Sequence, residues 1–121
     1  MKSYTDIEQS RKLAEILSPE SADCFWDYDD LQKYHRISWF EDSFNKESQL
    51  RLNENNVCAW SLAALMNVLP RVDIEKELWS SDKYDFRVKA YIDDGYVGDW
   101  FDNPVDACYE MIIELHEQKL L

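Results

Sequence analysis

The chain has 121 residues, a formal net charge of −12, 14% aromatic side chains, and only two Gly and three Pro. That length suits one domain, residues 1–121, with its own core, which buries roughly two-thirds of the unfolded surface without a metal or a disulfide. The charge disfavours direct binding to a nucleic-acid backbone, which wants a basic patch, and the low Gly and Pro counts argue against long flexible linkers.

Thr5 with Glu8 three residues on reads as a capping box, and Ile7, Leu13, Ala14, Ile16 and Leu17 predict an amphipathic helix over residues 6–17. Ser18-Pro19 stops it. Residues 21–28 alternate, with Ala22, Cys24, Trp26 and Tyr28 on one face, and predict a strand that ends at Asp29-Asp30. Residues 34–40 suggest another strand, with Ile37 and Trp39 inward. Residues 41–56 are polar and ambiguous between a loop and a short helix capped by Ser43 and carrying Phe44, Leu50 and Leu52. Residues 57–69 are nearly all apolar and rich in Ala and Leu, which predicts a central buried helix capped by Asn55 or Asn56 and ended by Pro70. Residues 72–78 alternate imperfectly. They lean to a strand, with a short helix capped by Asp73 as the rival.

The second half carries the strongest signals. Tyr84, Phe86, Val88, Ala90 and Ile92 alternate with Asp85, Arg87, Lys89, Tyr91 and Asp93, the period of a half-buried strand. Asp94-Gly95 suits a two-residue hairpin turn. Residues 96–101 would return, pairing Ile92 with Val97 and Val88 with Phe101, with Gly98 opposite Tyr91 and Trp100 opposite Lys89. Asn103 then suits an N-cap and Pro104 the first helical position. Val105, Cys108, Ile112 and Leu115 recur at helical spacing, predicting a helix from Pro104 to about Lys119. The elements together predict an α+β fold, an antiparallel sheet of about three to five strands with an N-terminal, a central buried and a C-terminal helix packed on one face.

Three Cys, at 24, 58 and 108, lie in apolar or alternating surroundings without metal-ligand spacing, as reduced buried thiols do. No signal peptide is visible, and no apolar run reaches the ~20 residues of a membrane helix, so a cytoplasmic protein away from membranes is expected. Three stretches resemble a group of small uncharacterised proteins from gut anaerobes and their phages or mobile elements. They are residues 8–23, Trp60-Ser61-Leu62-Ala63-Ala64-Leu65 through Pro70, and the more specific Asp102-Asn103-Pro104-Val105-Asp106-Ala107-Cys108. The resemblance implies one compact domain and brings no activity, cofactor or site residue with it.

Catalytic and metal chemistry find little to stand on. Cys58 would open a buried helix, where a dipole lowers a thiol pKa, but the Gly-rich lead-in of a thiol protease is absent and only His35 and His116 could serve as base. A small core residue is the plainer reading. His116 lacks a second His or Cys within a turn. Asp23, Asp27, Asp29 and Asp30 lack the mid-loop Gly and closing Glu of a calcium loop, and read as a solvated turn. No cofactor motif is present.

Two surfaces remain. Residues 73–121 hold 13 acidic against 5 basic side chains, so the acidity gathers in the hairpin and the last helix. There Asp106, Glu110, Glu114 and Glu117 form a stripe able to dock a basic protein, or simply a solvated helix face. Tyr91, Tyr96 and Trp100 form a possible aromatic face on the outer side of the hairpin, unless other strands cover them. The sequence therefore favours a non-catalytic, acidic protein-interaction domain with a basic protein as partner. The alternatives are a nucleic-acid mimic that occupies a DNA-binding protein, and a small ligand-binding domain or enzyme whose site, with His35 and Trp39, lies in residues 34–56.

Overall fold

The computed structural model describes residues 2–41, 46–80, 83–92 and 95–121, with the backbone alone at 79, 80, 91, 92, 95 and 96. The fold is α+β. Its contacts divide the chain into two compact units, Tyr4–Ala64 and Met1–Ser3 with Leu65–Leu121. The strands form two antiparallel sheets, one in each unit, where the sequence predicts a single sheet.

In the first unit, helix α1 (Ile7–Ala14) is capped by Asp6, whose carboxylate accepts from Gln9 N at 2.8 Å while the Gln9 side chain accepts from Asp6 N. The capping box thus sits one residue beyond the expected Thr5 and Glu8. Thr5 is fully buried and its hydroxyl is occupied elsewhere, 2.7 Å from Ser10 Oγ and accepting from Trp60 N at 3.1 Å. The Thr5 backbone also bonds Trp60, with its N–H donating to Trp60 O. Only Ser10 and Leu13 of α1 are buried, so its apolar stripe is narrower than predicted.

A 3-10 turn at Pro19–Ser21 leads into strand β1 (Cys24–Asp29), which pairs with β2 (Tyr34–Trp39) and with β3 (Val57–Ala59) in the order β2-β1-β3. Edge strand β2 leaves Trp39 53% exposed rather than inward. A short helix α2 (Lys46–Leu50) forms in the ambiguous segment, while its suggested cap Ser43 and Phe44 lie outside the described residues.

The expected central helix over residues 57–69 is not one element. Its first part is β3, buried at Cys58 and Ala59, and only Leu62–Val68 is helical, as α3. Ser61 separates the two. Its N–H donates to Asp23 Oδ1 at 2.9 Å, and its hydroxyl donates to the other Asp23 oxygen and accepts from Ala64 N, as an N-cap does. Met66 is 47% exposed, so α3 is not buried all round.

In the second unit, β4 (Asp73–Ser80) is a strand, as the alternation leans. It pairs with β5 (Lys83–Ile92), the central strand. The other edge of β5 takes β6 (Gly95–Val97) and β7 (Trp100–Phe101). The register is Ala90 with Val97, Arg87 with Trp100 and Phe86 with Phe101. This is two residues from the predicted pairing, so Trp100 faces Arg87 and not Lys89. An even shift keeps every side chain on its predicted face. The expected turn residue Asp94 lies outside the described residues.

Helix α4 (Pro104–Glu117) begins as its sequence dictates: Asn103 Oδ1 accepts from Asp106 N at 2.8 Å and Pro104 takes the first turn. Val105, Cys108, Met111, Ile112 and Leu115 are buried along one stripe, and α4 packs on β5 and β7. The inner face of β5, Phe86, Val88 and Ala90, is buried as well. Each fully buried aliphatic side chain here contributes roughly 1.5–3 kcal/mol relative to exposure.

Candidate functional site

The acidic face of α4 begins with a carboxylate already engaged. Asp106 accepts from Lys2 Nζ at 2.8 Å and from Asn103 Nδ2 at 2.7 Å, so it ties the N-terminal residues to the helix start. The stripe read from spacing therefore comes down to Glu110, Glu114 and Glu117. Glu114 accepts from Gln118 Nε2 at 2.5 Å. Glu110 has no hydrogen-bond or ion-pair partner among the described residues. Partial burial pushes its carboxyl above the ordinary glutamate value, and the negative charges of Asp106, Glu117 and Asp99 push the same way. Three carboxylates acting on a fourth leave this face short of positive charge.

Glu110 and Glu114 stand on one wall of a groove. Ala107 and Met111 complete that wall, and Val88, Val97, Gly98, Asp99 and Phe101 form the opposite one, around a cavity of about 320 Å³. The lining mixes the apolar residues with three carboxylate-bearing ones, Asp99, Glu110 and Glu114. Gly98 separates β6 from β7 and shapes the far wall. Its φ is +153°, and a Cβ there would lie 2.2 Å from the carbonyl oxygen of Val88, so only glycine lets the chain pass this close to β5. Asp99, a further carboxylate in this lining whose charge acts on Glu110, is not singled out by sequence periodicity. The break that Gly98 makes between two short strands was the available signal.

No family model, curated protein or solved structure matches the chain.

Of the aromatic surface expected on the outer face, Trp100 has its side chain among the described residues. Trp100 is half-buried, with the Arg87 guanidinium 4.6 Å over its ring. Arg87 donates to Glu75 at 2.6 Å, and Lys89 reaches the other Glu75 oxygen at 2.9 Å. Hydrogen bonds from Lys89 and Arg87 hold the Glu75 carboxyl below its ordinary value. Tyr91 and Tyr96 face each other in the β5–β6 register, and their side chains lie outside the described residues.

The remaining candidates take local roles. His35 Nε2 lies 3.0 Å from Asn55 O and its ring sits edge-on to Tyr28. His116 is exposed on the last turn of α4. Asp29 receives the amides of Leu31 and Gln32 and so closes the β1–β2 turn, Asp30 accepts from Asn53 Nδ2, and Asp23 holds Ser61. Among the described residues no group of three or more His, Cys, Asp or Glu is placed to hold a metal ion. No helix among them is long and apolar enough to cross a membrane.

Cys58 lies inside β3 and not at a helix start. Burial pushes its thiol up, which is the opposite of what a nucleophile requires. Burial also raises Cys24, and pushes Cys108 up to about 12.

Proposed function

We propose that the chain is a non-catalytic interaction domain that receives a basic protein partner on the acidic face of α4. The observation that carries this is Glu110, which has no hydrogen-bond or ion-pair partner among the described residues and whose carboxyl is raised by partial burial and by three neighbouring negative charges, beside a groove that Asp99 and Glu114 also line. Such a group is in an unfavourable electrostatic position in the isolated chain, and a cationic partner relieves it. Mimicry of a phosphate row draws less support, because Asp106 at one end of the row is committed to Lys2 and Asn103. On the outer sheet face, the Trp100 ring is already covered by Arg87.

A tagged pull-down from a lysate of the native host, at low and high salt, tests this reading with the wild-type chain and a triple variant, Glu110→Lys, Glu114→Lys and Glu117→Lys. The expected result is a basic protein retained by the wild type at low salt, released at high salt and absent from the variant. The same protein retained equally by the variant would refute the role of this face.

A further inference from the structure

Strand β2 (Tyr34–Trp39) is the outer strand of its sheet, and its pairing with β1 fixes which backbone groups are left over. Phe40 N–H donates to Asp23 O at the end of the β1–β2 ladder. The even-numbered residues of β2 therefore exchange bonds with β1, and the N–H and C=O groups of His35, Ile37 and Trp39 point the other way. Among the described residues no hydrogen bond reaches those outward groups. An edge of this kind is a template for another strand unless charge, proline or a bulge guards it. The outer strand of the other sheet, β4, is guarded, with Asp73, Glu75, Lys76 and Glu77 along it. Strand β2 has no proline and one residue of fixed charge, Arg36, and residues 31–40 hold no Asp or Glu in a chain of net charge −12.

The same strand is self-complementary. Turned about a two-fold axis through Ile37 and laid antiparallel, it sets Ile37 against Ile37 and His35 against Trp39, so every outward residue of the strand meets another as a doubly bonded pair. On the opposite face Arg36 meets Ser38 and Tyr34 meets Phe40, with no like charges opposed. The exposed rings of Tyr34 and Trp39 are both paired in this way. A two-residue shift either opposes Arg36 to Arg36 or leaves His35 opposite Glu41, beyond the strand. We infer that two copies of the chain join through β2 in this register, as a continuous sheet of order β3-β1-β2-β2-β1-β3. The interface is one strand wide, so the dimer is weak and forms by mass action. It stands independently of the partner proposed for α4.

The test is sedimentation velocity of the full chain from about 10 µM to about 1 mM, with amide-resolved hydrogen exchange at both ends of that range. A mass that rises toward twice that of the monomer is expected. The amides of His35, Ile37 and Trp39 should exchange at least about threefold more slowly at the high concentration, while those of Arg36 and Ser38, which bond β1 in monomer and dimer alike, should not change. Ile37→Pro removes a donor that the β1–β2 pairing does not use, once in each copy, and should weaken association at least about tenfold. Where circular dichroism shows that variant unfolded, the alternating exchange pattern of the wild type decides. A monomer mass at every concentration would overturn the inference and leave this edge to a strand of some other protein. Slowed amides outside β2 alone, or association undiminished in a folded Ile37→Pro chain, would overturn it by placing the dimer elsewhere.

Discussion

Replacing Glu110 by Gln takes one negative charge from the middle of the α4 acidic face and is expected to raise stability at neutral pH. The size follows from the neighbours. Like charges four residues apart on a helix cost about 0.2–0.5 kcal/mol per pair, and Glu110 has Asp106 one turn before and Glu114 one turn after. Lys2 already offsets part of the Asp106 charge, while Asp99 adds repulsion from across the groove. The expected gain is about 0.3–1 kcal/mol, or about 1–4 °C in Tm for a chain of this size.

The pH dependence has a definite sign. A carboxyl whose folded value lies above its unfolded value favours the fold while protonated, and that advantage is lost as pH rises through the folded value. The wild type therefore carries its penalty at neutral pH. The gap between wild type and Glu110→Gln should close as pH falls below the ordinary glutamate value of 4.5. Salt near 1 M, where the screening length is about 3 Å, should shrink it as well. Thermal unfolding by circular dichroism across pH and salt measures both. A variant less stable than the wild type at neutral pH, or a gain that persists in acid, would refute the electrostatic account of this face.

Other parts of the structure make equally concrete demands. Gly98→Ala should cost about 2–5 kcal/mol in urea unfolding, because its Cβ would meet the Val88 carbonyl oxygen at 2.2 Å and its φ is positive; unchanged stability would mean that the close approach is not real. Thr5→Val keeps the shape but leaves the buried Trp60 N–H without its acceptor and the Ser10 hydroxyl with only the Thr5 backbone oxygen at 3.5 Å, so a loss of about 1–3 kcal/mol is expected in the same assay, against little change if the Asp6 cap alone held this end. Cys24, Cys58 and Cys108 are all buried with raised pKa values, so alkylation near pH 8 should label none of them in the native protein and all three after unfolding.

The parts of the fold that were legible in the sequence are those whose signals are local. Asn103-Pro104 marks the start of α4 because cap and first-turn chemistry involve only neighbours in sequence, and the alternation through residues 84–92 marks β5. The alternation leaves register open, and the pairing of β5 with β7 differs from the predicted one by two residues because faces, which the pattern does specify, are unchanged by an even shift. The apolar run over residues 57–69 misled for a related reason. A continuous apolar stretch suits a buried strand as well as a buried helix, and the switch between them is made by Asp23, which reaches Ser61 from 38 residues away. Thr5 and Asp6 are both competent caps, and tertiary burial of Thr5 against Trp60 decides between them.

The candidate site divides the same way. Helical spacing places Glu110, Glu114 and Glu117 together on one face. That Asp106 is withdrawn by Lys2, 104 residues away, and that Asp99 joins from the opposite wall, are facts of tertiary structure. The groove itself depends on one glycine whose role emerges only beside the Val88 carbonyl.

The central claim is that the acidic face of α4 binds a basic protein. Once such a partner has been retained, the most direct measurement is its affinity for the wild type and for the triple lysine variant of Glu110, Glu114 and Glu117, by titration calorimetry at low and high salt. The account predicts binding that weakens steeply with salt and falls at least about tenfold on charge reversal, since each displaced contact now repels. Equal affinity for both chains, at any salt, would contradict it.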